Sequence, residues 1–184
     1  MPAGTPASLS PGTEITRLLR AEHTFDRARG GWHAVAGPSG ATTIPGKHRK
    51  ASGSNPSPVT DGKQLFVYFK TGDLACLTLS GKLVWQTNLQ KAWGKDTLWW
   101  DLGTSPVLSN DKVLVAVMQT GGSYVAAFDK KDGDVAWKHD RNLEAPLEAA
   151  QSYTTPLVLN RGGSERVLVL GADHVTAYDC NTGK

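Results

Sequence analysis

The side chains able to do chemistry are few, and their spacing is unhelpful to catalysis. Five histidines, His23, His33, His48, His139 and His174, show neither an HExxH pair nor a partnering CxxC, so no zinc-type ligand set is expected. Cys76 and Cys180 stand alone, too few for a disulfide framework, and both are expected as free thiols. "GATTIPGKHRK" approaches a phosphate-binding loop, but five residues separate Gly40 from Gly46 and His48 stands where Ser or Thr would hold Mg²⁺. The cations of "KHRK", Lys47 to Lys50, read as a solvated loop. No catalytic, cofactor-binding or metal residue is therefore expected. What remains is recognition chemistry: "AWGKDTLWWDLGTSP" gathers Trp93, Trp99 and Trp100 beside the carboxylate of Asp101, large rings and one charge suited to a protein or small-ligand contact.

The elements that must carry this loop follow from composition and repetition. The 184 residues are 39% hydrophobic and 20% charged, with 20 glycines and ten prolines, which favours many short strands and turns over long helices. A net charge of +3 sets up no field for nucleic acid, and no run approaches 18 apolar residues, so no membrane span is expected. "AAFDKKDGDVAW" places Ala127, Asp129, Gly133 and Trp137 in an order that "ACLTLSGKLVW" repeats with Ala75, Gly81 and Trp85, Leu77 replacing the Asp. "AYDCNTGK" repeats it with Ala177, Asp179 and Gly183, and "TFDRARGGW" gives a fainter copy with Asp26, Gly30 and an early Trp32. The glycines recur at intervals of about 50 residues, and Pro58, Pro106 and Pro156 keep the same period.

Each unit reads as four short strands, in the second unit near Ser105–Leu108, Lys112–Met118, Ser123–Asp129 and Val135–His139. "VLVAVM" is apolar at nearly every position, the pattern of a strand covered on both faces. Copies stacked face to face supply that cover, so the expected fold is all-β: β-propeller blades of four antiparallel strands in a partial ring of about three. In each motif the Asp suits a turn whose backbone N–H groups its carboxylate accepts, the Gly tolerates positive φ, and the Trp wedges between sheets. The expected division is a poorly structured segment 1–50 with a degenerate blade remnant, then blades at about 51–99, 100–148 and 149–184, the last incomplete.

Ala127, Asp129, Gly133 and Trp137 resemble the tryptophan-docking motif of PQQ-like repeats, found in quinoprotein alcohol dehydrogenases and in non-enzymatic BamB-type propellers. The resemblance covers about residues 51–184 and is similar in detail to bacterial PQQ-like propellers. It implies rings of about seven or eight blades, on the order of 350 to 400 residues, and hence a fragment that stops inside a blade, its ring completed by missing blades or by self-association. It also implies a periplasmic or secreted setting, although "MPAGTPASLSPGTEITRLLRAEH" has no secretory signal pattern. The function it implies is non-catalytic scaffolding with a protein or small-ligand partner and no cofactor. The alternative is a piece of a quinoprotein dehydrogenase carrying PQQ and Ca²⁺, in which a vicinal Cys-Cys disulfide and Glu, Asn and Asp ligands would be expected.

Overall fold

A computed structural model describes residues 23–26, 33–36, 48, 55–79 and 82–184. Strands β1 (His23–Asp26) and β2 (His33–Ala36) form an antiparallel hairpin. Gly30 and Trp32 of the faint N-terminal copy lie outside the described residues, as do Gly81 and the phosphate-loop-like stretch apart from His48.

Three antiparallel sheets follow. The first is β3 (Val59–Thr60), β4 (Gln64–Tyr68), β5 (Asp73–Thr78) and β6 (Leu83–Asn88) in that order. The second is β7 (Val107–Leu108), β8 (Lys112–Val117), β9 (Tyr124–Asp129) and β10 (Val135–Asp140), within two residues of the sequence expectation at every strand end. The third is β11 (Leu157–Arg161), β12 (Ser164–Gly171) and β13 (His174–Asp179). One five-residue helix, α1 (Leu89–Trp93), follows β6.

The apolar run in β8 has a direct cause. Val113, Val115 and Val117 pack with Phe66, Tyr68, Leu74 and Cys76 of the first sheet. Their neighbours Leu114 and Ala116 point the other way, onto Val167, Val169 and Tyr178 of the third. Alternation therefore survives in space, with both faces dry. The molecule is all-β, built of stacked propeller blades.

Each fourth-strand tryptophan bridges to the following sheet. The Trp85 indole N–H donates to Lys130 O at 2.8 Å, and its ring lies on Gly133 so closely that a Cβ there would sit 2.5 Å from Cε3. Trp137 repeats the contact, donating to Cys180 O at 2.9 Å and lying on Gly183. Only glycine leaves room for the ring, and both glycines have positive φ, 80° and 73°. The turns are alike: Gly133 N donates to Asp129 O and Gly183 N to Asp179 O.

Two motif assignments differ from the sequence reading. Trp137 pairs with Ala127 across β9 and β10, but Trp85 pairs with Cys76, not Ala75. The first unit's turn is one residue shorter, so Cys76 fills the place of the small residue and Ala75 faces away with Val67 and Leu77. Thr78, not Leu77, then occupies the aspartate's place: its N–H donates to Lys82 O and its hydroxyl accepts from Lys82 N. The Asp179 carboxylate accepts from the N–H groups of Thr182 and Asn181, and Thr182 in particular holds it below its ordinary pKa. Asp129 instead accepts from Lys112 Nζ at 2.9 Å, the lysine standing directly opposite it in the register of β8 and β9.

The third sheet has one covered face and one open one. Leu157, Leu168 and Ala177 sit in register across it, as do Leu170 and Val175, and Leu157, Leu170 and Val175 are 53–68% exposed. The same register positions in the second sheet, Leu114 with Ala127 and Ala116 with Val125, are fully buried against their neighbour.

Candidate binding loop

The connection from α1 to β7 crosses one end of the sheets. Asn88 caps α1, its Oδ1 accepting from Lys91 N at 2.8 Å, and Gly94 at φ 99° turns the chain out of the helix. Beyond it, polar side chains from the second and third units hold the backbone. Gln119 Oε1 accepts from Thr97 N at 2.9 Å, Gln151 Oε1 from Trp99 N at 3.0 Å, and the Tyr153 hydroxyl from Trp100 N at 3.2 Å. Gln151 also donates to Thr97 O and Thr120 Oγ1, and Tyr153 OH donates to Gln151 Oε1 at 2.8 Å. Burial raises the Tyr153 pKa, so the hydroxyl keeps the proton that the network uses.

Beneath the loop lies an ionic cluster. Lys70 Nζ meets Asp96 Oδ1 at 2.5 Å and Asp101 Oδ1 at 3.5 Å, while Gln90 Nε2 donates to Asp96 Oδ2 and Lys70 O. Asp101 Oδ2 accepts from His48 N at 2.7 Å. Asp101 is 1% exposed with φ 66°, which corrects the sequence reading: its carboxylate ties the loop down and is not offered to a ligand. Removing one member of such a buried cluster leaves the others uncompensated.

The three tryptophans also separate. Trp93 packs edge-on to Tyr124 at 4.9 Å and near Phe128 at 5.8 Å, with Lys138 Nζ over its ring, so it belongs to the core. Trp99 and Trp100 are 55% and 50% exposed. Trp100 Nε1 donates to Glu148 Oε1 at 3.1 Å and its ring meets His48 at 4.9 Å. The sequence missed the residues that set this geometry, Lys70, Gln90, Asp96, Gln119, Glu148, Gln151 and Tyr153. Their partners lie as far as 54 residues away, so no local pattern signals them.

Elsewhere among the described residues, no three His, Cys, Asp or Glu side chains stand close enough to hold a metal ion. Cys76 lies between the first and second sheets and Cys180 between the second and third, and burial pushes each thiol up to about 11.

Stacked four-stranded sheets at a period of about 50 residues, each locked to the next by a tryptophan on a glycine, define a β-propeller repeat protein. The family described as "Outer membrane protein assembly factor BamB" matches residues 24–184, and the chain belongs to it. Among solved structures, BamB from Moraxella catarrhalis superposes with a TM-score of 0.52 at 22% identity, over 70% of this chain and 35% of that one. A quinohemoprotein alcohol dehydrogenase from Comamonas testosteroni superposes with a TM-score of 0.53 at 16% identity, over 83% of this chain and 31% of that one. The chain thus spans about a third of the length of these relatives, and at these identities the superpositions speak for the fold alone. No curated protein matches the sequence.

Proposed function

We propose that this chain is a non-catalytic binding module, in which propeller blades hold the Trp99–Trp100 loop as a docking surface for a partner protein. The observation that carries the reading is the pairing of exposed rings with a fixed backbone: Trp99 and Trp100 are half exposed, yet both N–H groups are held by Gln151 and Tyr153 of the next unit. A surface ordered before binding loses little entropy when a partner docks, and tryptophan is prominent among residues that dominate interface energies. The buried ionisable groups nearby are spent on each other, which supports a role in recognition without a cofactor.

In this reading the blades belong to a larger ring. The open face of the third sheet repeats the pattern that the second sheet buries, so a further blade, or a second copy of the chain, suits it. The matched family is named for the assembly of outer membrane proteins, a likeness that supports a working site outside the cytoplasm.

A selection from a random peptide display on the whole chain, counter-screened on a Trp99→Ala/Trp100→Ala variant, tests the docking surface. Enrichment of peptides that bind the parent and not the variant is expected. If every enriched peptide binds both equally, the loop is not the docking surface.

A further inference from the structure

The chemistry around Trp99 and Trp100 narrows what can dock. The Trp99 side chain has no hydrogen-bond or ring partner among the described residues, and the residue is 55% exposed, its backbone N–H alone being held by Gln151. Trp100 donates its indole N–H to Glu148 Oε1, and Glu148 Oε2 has no partner there. The site therefore presents the Trp99 ring and the half of Trp100 that His48 leaves exposed, beside a carboxylate oxygen of Glu148 without a partner among the described residues. An acidic partner is repelled by Glu148, and a purely apolar one would strip water from that oxygen without replacing it. A planar cation satisfies both features, since a guanidinium stacks on an indole while donating to a carboxylate. The chain already makes a related contact: Lys138 Nζ stands 5.3 Å from the Tyr124 ring and 5.7 Å from that of Trp93.

We propose that Trp99, Trp100 and Glu148 form a subsite for an arginine side chain in a basic segment of a partner protein. The proposal rests on the docking-surface reading and specifies its partner. Arginine suits it better than lysine, because a flat, weakly hydrated group can lie against a ring and still direct an N–H into Glu148. The rings give contact area and the carboxylate gives selection for charge.

The test uses the whole chain with ¹⁵N-labelled tryptophan and a probe peptide, acetyl-Gly-Arg-Gly-Arg-Gly-amide, against its citrulline counterpart of equal shape and no charge. The arginine peptide should shift the indole N–H signals of Trp99 and Trp100 and bind at least about fivefold more tightly than the citrulline peptide. Glu148→Gln should remove most of that difference while leaving the other four indole signals in place. Equal shifts by both peptides, or an arginine preference that survives Glu148→Gln, overturn the arginine subsite and leave the docking surface standing. Absence of any shift overturns it too, and the display selection then judges the docking surface separately.

Discussion

Replacing Gly133 by alanine probes the contact that joins the first two blades. The added carbon would stand 2.5 Å from Trp85 Cε3 and 2.6 Å from Cδ2, well inside the separation of about 3.5 Å at which carbon atoms attract. The ring cannot swing aside freely, because its N–H is bonded to Lys130 O and Trp85 is only 8% exposed. Overpacking of this kind costs about 1–3 kcal/mol, and an L residue at φ 80° adds about 1–2 kcal/mol. Gly121 supplies the comparison, since it has φ 73° and nothing within 4 Å of an added Cβ. Gly121→Ala should therefore cost the backbone strain alone, about 1–2 kcal/mol. Urea unfolding followed by circular dichroism should place Gly133→Ala about 1–3 kcal/mol below Gly121→Ala, with an unchanged slope. In a Trp85→Leu background the excess should vanish, because the ring that causes it is gone. Equal costs for the two alanines, or an excess that persists without Trp85, would refute the docking argument.

Further outcomes follow from the same packing. Cys76 and Cys180, both held up to about 11 by burial, should resist an aromatic disulfide reagent at pH 8 in the folded protein and react promptly in urea; fast labelling without denaturant would contradict their burial. Lys112 raises its own pKa by binding Asp111 and Asp129, and lowers that of Asp111. The aspartate's contribution is complete above its ordinary value and fades as pH falls through the lower folded one, below about pH 4. The lysine's contribution is complete below its ordinary value and fades as pH rises above about 10.5. Lys112→Met should flatten both limbs of a stability-against-pH curve, and unchanged limbs would contradict the assignment. On the open face of the third sheet, Val175→Lys should change stability by less than about 0.5 kcal/mol and reduce self-association by light scattering; a large loss of stability would mean the face is covered.

The fold was legible because its pattern repeats. Pro106, Gly133 and Trp137 recur one period away, and a strand as uniformly apolar as β8 admits few interpretations other than burial between two sheets. The slip in the first unit, Ala75 for Cys76 and with it Leu77 for Thr78, arose from a turn one residue shorter, a change that leaves the Ala-to-Trp spacing intact in sequence while shifting the pairing across the strands. The site was legible only as a density of tryptophans. Sequence could not separate Trp93, which meets Tyr124 across the sheets, from Trp99, which meets solvent. Nor could it see that Asp101 is consumed by Lys70 and the His48 N–H, since those partners come from distant parts of the chain.

The measurement that bears most directly on the proposed function is a calorimetric titration of a display-selected peptide into the parent chain and into Trp99→Ala, with thermal unfolding recorded for both. Affinity for Trp99→Ala should be about tenfold weaker or worse with an unfolding midpoint nearly unchanged, because the ring faces solvent and its backbone anchor to Gln151 survives. Equal affinity in the two proteins would contradict the proposed function.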